Sequence, residues 1–237
     1  MTTGGERRAE LEAGLARVRE RVAAGCAAAG RSPSEICLVV VTKTHPATDV
    51  TTLADLGVTD VGENRDQEAS AKHAEVLAAG VTGLRWHFIG QLQTNKARSV
   101  ARYADVVHSV DRVHLVSALG KAAHQVGREV ECLVQVSLDG DTARGGCLLT
   151  DLEEVAGAVV ATDGLALRGV MAVAPLGEDP RRAFAVLPAL RDRLLAVDPR
   201  AGLVSAGMSG DLEAAIACGA THLRVGSAVL GARPALG

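Results

Sequence analysis

Residues 36–46 read ICLVVVTKTHP, and the first six of them are apolar. A run of this kind, rich in Val, is typical of a strand buried on both faces in a parallel sheet covered by helices. Lys43 follows almost at once, and Pro46 ends the regular pairing. Burial lowers the pKa of a lysine amine and makes it a nucleophile for carbonyl groups. The alternative is that Lys43 extends into solvent where the strand meets its loop.

Composition narrows the class of protein. The 237 residues suffice for one large α/β domain, and 48% apolar with 22% charged residues predicts a packed core. Net charge is −3 and aromatics make up only 2%, so we expect no nucleic-acid partner. No apolar run is long enough to span a membrane, and the N-terminus is polar rather than a signal peptide. We therefore expect a cytoplasmic protein with no membrane partner.

The number and spacing of the cysteines are also typical of a cytoplasmic protein. Their number is odd and no CxxC motif occurs, which favours reduced thiols over a disulfide framework or a metal site. The five are Cys26, Cys37, Cys132, Cys147 and Cys218.

Strand and helix patterns alternate along the chain. A helix over residues 6–29, with apolar residues at spacings of three and four, precedes the first strand. The predicted strands are 36–43, 60–62, 84–89, 106–110, 130–138, 166–173, 203–206 and 222–225. The predicted helices between and after them are 47–56, 64–79, one from 93, 115–126, 152–161, 180–196, 211–218 and 227–230.

Eight such units predict a closed (β/α)8 TIM barrel with an extra N-terminal helix. We expect a single domain over residues 1–237, with a helical extension at 1–34 and the barrel at 35–233. An open doubly wound sheet is the second possibility, but the GxGxxG fingerprint is absent after the first strand.

Function in such a barrel gathers where the strands end at their carboxyl termini. Two small-residue loops follow the last two strands, GMSG at 207–210 and GSA at 226–228. Small residues and helix starts of this kind accept a phosphate. The alternative is that Gly207 and Gly210 only shape a turn, with Asp211 as a helix cap. Arg224 lies on the eighth strand, and an inward guanidinium there needs an acceptor, either a ligand or an outer carboxylate.

A lysine amine, a phosphate cradle and a buried arginine together suit pyridoxal 5′-phosphate. The lysine would form the internal aldimine, and the arginine would keep the ring nitrogen unprotonated. His87 could contact this ligand or be an interior histidine with its own partners. Asn64 could cap a helix or bind the ring hydroxyl. We expect Met171 in the core and Lys96 at the surface.

Several motifs occur in the order seen in one known family. They are VTKT at 41–44, GEN at 62–64, WHFIG at 86–90, QTNK at 93–96, HSVDR at 108–112, GVMA at 169–172, GMSGDLEAAI at 207–216 and RVGSA at 224–228. The chain resembles the YggS/PROSC family of pyridoxal phosphate homeostasis proteins. It departs from the family pattern at Arg65-Asp66, Gln91 and Ala206, which affects local loop shape.

The resemblance implies a barrel like the N-terminal domain of alanine racemase, with pyridoxal phosphate joined to Lys43. It implies that Arg224 faces the ring nitrogen and that Asn64 and His87 lie near the ring. The loop around Met208 completes the predicted site. The implied phosphate contacts are Ser209, Gly226 and Ser227.

The remaining question is whether the protein is an enzyme or a carrier of the cofactor. A racemase needs acid/base groups on both faces of its substrate, and the only tyrosine, Tyr103, falls away from the predicted site. We therefore expect a carrier in vitamin B6 homeostasis, monomeric, whose partners are pyridoxal phosphate and apo-enzymes that use it. A racemase-like enzyme of low activity is the alternative, and a Schiff-base aldolase acting on a phosphosugar is a third possibility.

Overall fold

The computed structural model describes residues 4–231, and it shows a closed barrel of eight parallel strands. The strands are β1 (Cys37–Val41), β2 (Asp60–Glu63), β3 (Arg85–Phe88), β4 (Val106–Val110), β5 (Val130–Gln135), β6 (Leu165–Met171), β7 (Leu203–Ser205) and β8 (His222–Val225). Because β1 pairs with both β2 and β8, the barrel prediction is confirmed and the open sheet is excluded.

One helix precedes the first strand and helices follow every strand, and together they cover the outside of the barrel. They are α1 (Gly4–Ala28), α2 (Ala47–Asp55), α3 (Asp66–Ala78), α4 (Ala97–Val100), α5 (Val113–Val126), α6 (Leu152–Val160), α7 (Pro180–Phe184), α8 (Leu187–Val197), α9 (Leu212–Ala217) and α10 (Ser227–Leu230). Short 3-10 turns occupy Pro33–Glu35, Thr94–Lys96 and Thr142–Arg144. The predicted domain ends, residues 1–3 and 232–237, lie outside the described part.

Several predicted boundaries were wrong. The first strand, expected over 36–43, ends at Val41, so Lys43 lies two residues beyond it. The single helix expected over 180–196 is two helices, α7 and α8. Pro188 explains the break, because proline lacks an N–H and fits only the first turn of a helix. The fifth and sixth strands, expected to end at 138 and 173, end at Gln135 and Met171. The residues that follow are largely apolar but lie beyond the two strands.

Helix α1 lies across the outside of the barrel and packs on α9 and α10. Its apolar stripe, which includes Leu11, Leu15 and Val18, is fully buried. At Gly14 a β-carbon would lie 2.2 Å from the Val229 carbonyl oxygen, so only glycine allows this approach to α10. The predicted extra N-terminal helix is thus confirmed, and it packs on the barrel as part of the same core.

The cysteines are unpaired, as predicted. Burial raises the pKa of the Cys37 and Cys147 thiols to about 12. Across residues 4–231 there is no group of three His, Cys, Asp or Glu side chains arranged to hold a metal ion. The same residues include no helix with the length and hydrophobicity needed to cross a membrane.

Candidate functional site

A pocket of about 330 Å³ opens at the carboxyl-terminal end of the barrel strands. This volume falls within the range of small-molecule sites, roughly 300–1,000 Å³. Seven of the eight predicted site residues line it. They are Lys43, Asn64, Met208, Ser209, Arg224, Gly226 and Ser227.

Lys43 follows β1 in a tight turn. The next residue, Thr44, has a φ of 67°, in the left-handed region that a β-branched residue rarely adopts. Two hydrogen bonds hold this conformation: the Thr44 amide donates to the Glu68 carboxylate, and its hydroxyl donates to the Lys43 carbonyl at 2.5 Å. The strained turn fixes the backbone from which the Lys43 side chain enters the pocket.

A buried ion cluster lies beneath that turn. Lys72 Nζ donates to the Thr42 carbonyl at 2.7 Å, to Glu63 at 2.5 Å and to Glu68 at 3.0 Å. Burial raises the pKa of Glu63, although Lys72 opposes the shift. The cluster joins the end of β1 to β2 and α3, so it braces the Lys43 turn from behind.

Asn64 does not act as a helix cap. Helix α3 begins at Asp66, and Arg65 occupies the N-cap position. The Asn64 side-chain oxygen is buried, has no hydrogen-bond partner among residues 4–231, and belongs to a residue that lines the pocket. A β-carbon at Gly90 would lie 2.0 Å from the Asn64 carbonyl oxygen, so the glycine in WHFIG lets this backbone come close. The orphaned oxygen is an acceptor available to a ligand.

Arg224 lies inside the barrel wall and is 5% exposed. Its Nη1 donates to Ser205 Oγ at 2.6 Å and its Nη2 donates to the Ala172 carbonyl at 3.0 Å. Within residues 4–231 no carboxylate lies within salt-bridge distance, so the outer salt bridge considered above does not form. Burial lowers the pKa of Arg224 to about 10, and Asp211 opposes the shift. The guanidinium is therefore a cation at neutral pH, facing the pocket with neutral partners.

The two small-residue loops lie side by side at the pocket wall. Gly207 has a φ of 90°, and a β-carbon there would lie 2.6 Å from the Ala215 side chain. Asp211 closes the first loop by accepting the Met208 amide at 2.6 Å, and its side chain caps no amide of α9. Ser209 Oγ lies 3.4 Å from the Ala228 amide of the second loop. The loops form a small cradle lined by hydroxyl and amide donors.

His87 is the predicted site residue that does not line the pocket. It is 1% exposed inside the barrel, between His108 at 2.8 Å and Asp60 at 2.9 Å. Of the two interpretations given above, the structure favours an interior histidine with its own partners. Tyr103 also lies away from the pocket, buried against His73.

His45 is a pocket residue that the sequence analysis missed. It is 6% exposed, and its Nδ1 lies 3.4 Å from Asp49. Burial lowers its pKa, although Asp49 opposes the shift. Its position two residues after Lys43 was the available signal. The other lining residues that were not predicted are Val41, Ile89, Val173 and Gly231, and Gly210 belongs to the predicted loop at 207–210. Met171 is buried in the core, as expected, and also lines the pocket.

Comparison with known proteins decides the family. Residues 14–234 match the family model for the alanine racemase N-terminal domain. The pyridoxal phosphate homeostasis protein of Mycobacterium tuberculosis is 46% identical over 96% of this chain and 95% of its own. The chain belongs to the pyridoxal phosphate homeostasis protein family. The family member from Escherichia coli K12 is 38% identical over 92% of this chain and 95% of its own.

Solved structures support this membership of the homeostasis family. PipY of Synechococcus elongatus, determined with pyridoxal phosphate bound, is 33% identical with a TM-score of 0.81, covering 93% of this chain and all of that one. The alanine racemase of Streptomyces coelicolor is 18% identical with a TM-score of 0.74, and its match covers 96% of this chain but 59% of the racemase. That second likeness shows the fold alone.

Proposed function

We propose that this protein binds pyridoxal phosphate at the pocket, attached to Lys43, and acts in the cytoplasm as a carrier in pyridoxal phosphate homeostasis. The observation that carries the proposal is the gathering of Lys43, Arg224 and the two small-residue loops around one pocket. We further propose that the chain is a single-domain monomer and that apo-enzymes requiring the cofactor receive it.

The pocket residues fit the chemistry of this group. Pyridoxal phosphate supplies an aldehyde that reacts reversibly with a primary amine, and an electron-poor ring. The Lys43 amine is the nucleophile, and the unpartnered Asn64 oxygen accepts a hydrogen bond from a ring hydroxyl. Arg224 can only donate, so it favours an unprotonated nitrogen opposite it. A β-carbon at Gly226 would lie 3.1 Å from the Val41 carbonyl oxygen, so the glycine lets the second loop lie close to the end of β1. Ser209 and Ser227, which line the pocket, supply hydroxyl donors for an anion.

The carrier role rests on what the pocket offers for proton transfer. A racemase needs one acid/base group on each face of its substrate. Tyr103, the only tyrosine of the chain, is buried outside the pocket and does not supply that second group. His45 gives the racemase-like activity one supporting observation, because it places an imidazole beside Lys43 in the same pocket. That activity is the second candidate function.

An absorbance spectrum tests the proposal directly. The purified protein, supplied with pyridoxal phosphate, is compared with Lys43→Ala and with Lys96→Ala, whose lysine is partly exposed and outside the pocket. We expect a visible band in the wild type and in Lys96→Ala but not in Lys43→Ala. Borohydride trapping followed by peptide mass spectrometry should place the label on Lys43. Absence of the band in wild type, or its survival in Lys43→Ala, would contradict the proposal.

The second candidate is tested on the same samples. Loaded protein is incubated with L-alanine, and the D-alanine formed is measured by chiral chromatography. A carrier produces none above the level of free pyridoxal phosphate. Turnover that disappears in His45→Gln while the visible band remains would establish the racemase-like activity.

A further inference from the structure

A line of polar side chains crosses the interior of the barrel from one end to the other. Asp60 Oδ1 lies 2.9 Å from His87 Nε2, and His87 Nδ1 lies 2.8 Å from His108 Nε2. His108 Nδ1 lies 2.9 Å from Ser205 Oγ, which lies 2.6 Å from Arg224 Nη1. Since Asp60 is the first residue of β2 and Arg224 lines the pocket, the line joins the amino-terminal end of the barrel to the candidate site.

The chemistry of Arg224 sets the direction of these hydrogen bonds. A guanidinium has donors and no acceptor, so Ser205 Oγ must accept from it. The Ser205 hydroxyl proton then goes to its other partner, Nδ1 of His108. With Nδ1 accepting, His108 carries its proton on Nε2 and donates it to His87.

The opposite end of the line is consistent with this direction. His87 accepts at Nδ1, so its proton lies on Nε2 and is donated to Asp60. An ionised carboxylate can only accept, so the arrangement is satisfied there as well. The reversed arrangement would leave the buried Ser205 hydroxyl proton without an acceptor, because its partners among residues 4–231 are His108 and Arg224. One arrangement therefore satisfies all four bonds.

Burial supports this assignment. His108 and Ser205 are both 0% exposed. Burial holds the pKa of His108 well below its usual value, so this ring carries one proton at neutral pH. Burial alone would raise the pKa of Asp60, but hydrogen bonds from His87 and Thr59 outweigh it and lower the pKa to about 2. Asp60 is therefore an acceptor across the neutral range.

We propose that Asp60, His87, His108 and Ser205 are positioning residues for Arg224, joined in a one-way hydrogen-bond chain that ties the guanidinium at the pocket to a carboxylate at the far end of the barrel. Without Ser205, the bond of Arg224 that remains within residues 4–231 is the one to the Ala172 carbonyl at 3.0 Å. The effect on pyridoxal phosphate rests on the function proposed above, whereas the proton positions do not.

Nitrogen-15 NMR of the histidine rings tests the chain in protein free of pyridoxal phosphate. In the wild type we expect both His87 and His108 to carry a single proton, on Nε2. Asp60→Asn keeps an oxygen acceptor and should preserve both tautomers. Asp60→Leu removes the acceptor of His87, but the donor-only guanidinium still fixes Ser205 and His108, so the His108 proton should stay on Nε2. A proton on Nδ1 of either ring in the wild type, or a His108 proton on Nδ1 in Asp60→Leu, would overturn the proposal.

Ser205→Ala is a smaller change that tests the other end. It breaks the link between His108 and Arg224, and we expect the affinity for pyridoxal phosphate to fall by about tenfold, the effect of losing a charge-assisted hydrogen bond. When the visible band is titrated against pH, the midpoint of that titration should also shift. Ser109→Ala is the matched control, because Ser109 is equally buried on β4 but its hydroxyl has no partner among the described residues.

The outcomes separate the two proposals. Equal loss of affinity in Ser205→Ala and Ser109→Ala, with no shift in the pH midpoint, would overturn the positioning role. If the wild type takes up no pyridoxal phosphate while the NMR tautomers are as stated, the proposed function fails and the hydrogen-bond chain stands. If pyridoxal phosphate binds but a ring proton of His87 or His108 lies on Nδ1, the hydrogen-bond chain fails and the proposed function stands.

Discussion

At the scale of single residues, the site depends on side chains behind the pocket as much as on those that line it. Lys72 is 5% exposed and pairs with two carboxylates. Glu63 is buried and would otherwise lack a counter-charge, whereas Glu68 is partly exposed. The second oxygen of Glu63 is buried without a hydrogen-bond partner among the described residues, so this carboxylate already lacks one of the contacts it could make. The Lys43 turn therefore rests on an ion cluster with little tolerance for loss of charge.

Lys72→Met should destabilise the protein by about 3–5 kcal/mol, because it leaves Glu63 as a buried charge without its partner. Urea unfolding followed by circular dichroism measures the loss. Lys96→Met is the control: its ion pair with Asp66 spans 3.9 Å at a partly exposed lysine, and removing it should cost no more than about 1 kcal/mol. Similar losses in the two variants would show that the buried cluster does not brace the turn.

Single residues also show what the sequence could and could not reveal. Lys43, Arg224 and the glycine-rich loops were predictable, since each follows or ends a strand and the strand ends meet in a barrel. The position of His45 in the pocket and the hydrogen bonds of His87 were not predictable. Whether an inward histidine reaches a ligand or another side chain depends on where residues from distant strands meet, here His108 and Asp60.

At the scale of elements, helix α1 does more than cover the barrel. Arg21 pairs with Glu213 through two bonds of 2.7 and 2.8 Å and also donates to the Ser209 carbonyl at 2.8 Å. Near the start of the helix, Arg7 makes a matching double contact with Asp49, at 3.2 and 2.7 Å. The helix thus reaches the first small-residue loop, residues 207–210, from outside the pocket.

Arg21→Ala should therefore weaken binding of pyridoxal phosphate by about fivefold, through loss of one hydrogen bond that positions Ser209. Its effect on unfolding should stay below about 1 kcal/mol, because the pair with Glu213 is partly exposed. Absorbance titration measures the affinity. Arg8→Ala removes one exposed contact to Asp55 and should leave the affinity unchanged, so a loss shared by both variants would contradict the argument.

The elements themselves were largely predictable, because apolar runs bounded by glycine and proline mark strands and helices in the sequence. The register of β5 against β6, which shifts between Cys132 and Leu133, was not. Nor was the close approach at Gly169, where a β-carbon would lie 1.8 Å from the Leu203 carbonyl oxygen. Both depend on how neighbouring strands twist against each other.

At the scale of the whole molecule, the buried histidines predict sensitivity to acid. Burial lowers the pKa of His222 to about 4 from its usual 6.5, with the neighbouring Arg85, Arg224 and His87 acting in the same direction and Asp60 against it. Such a group is neutral in the folded protein but gains a proton in the unfolded chain. Its contribution to stability is complete above pH 6.5 and is lost as the pH falls from 6.5 to 4.

The free energy of unfolding should therefore fall by about 3 kcal/mol over this range from His222 alone. Urea denaturation at pH 7.5, 6.5, 5.5 and 4.5 measures the slope. The variant His222→Gln, which removes the titrating group but keeps a polar side chain beside Thr221, should show a shallower decline. Parallel curves for wild type and variant would assign the acid sensitivity to other groups.

The pairing of β1 with β8 has a consequence for how the chain is made. Residues 37–40 complete their pairing only with residues 222–225, and α1 docks on α9 and α10, which also come late. At roughly 5–20 residues per second, the ribosome needs on the order of ten seconds or more to deliver those partners. Throughout that interval the apolar first strand has an open edge, the kind of surface that invites aggregation. The newly made chain should therefore be most vulnerable before its last strand emerges, and folding should finish with closure of the barrel.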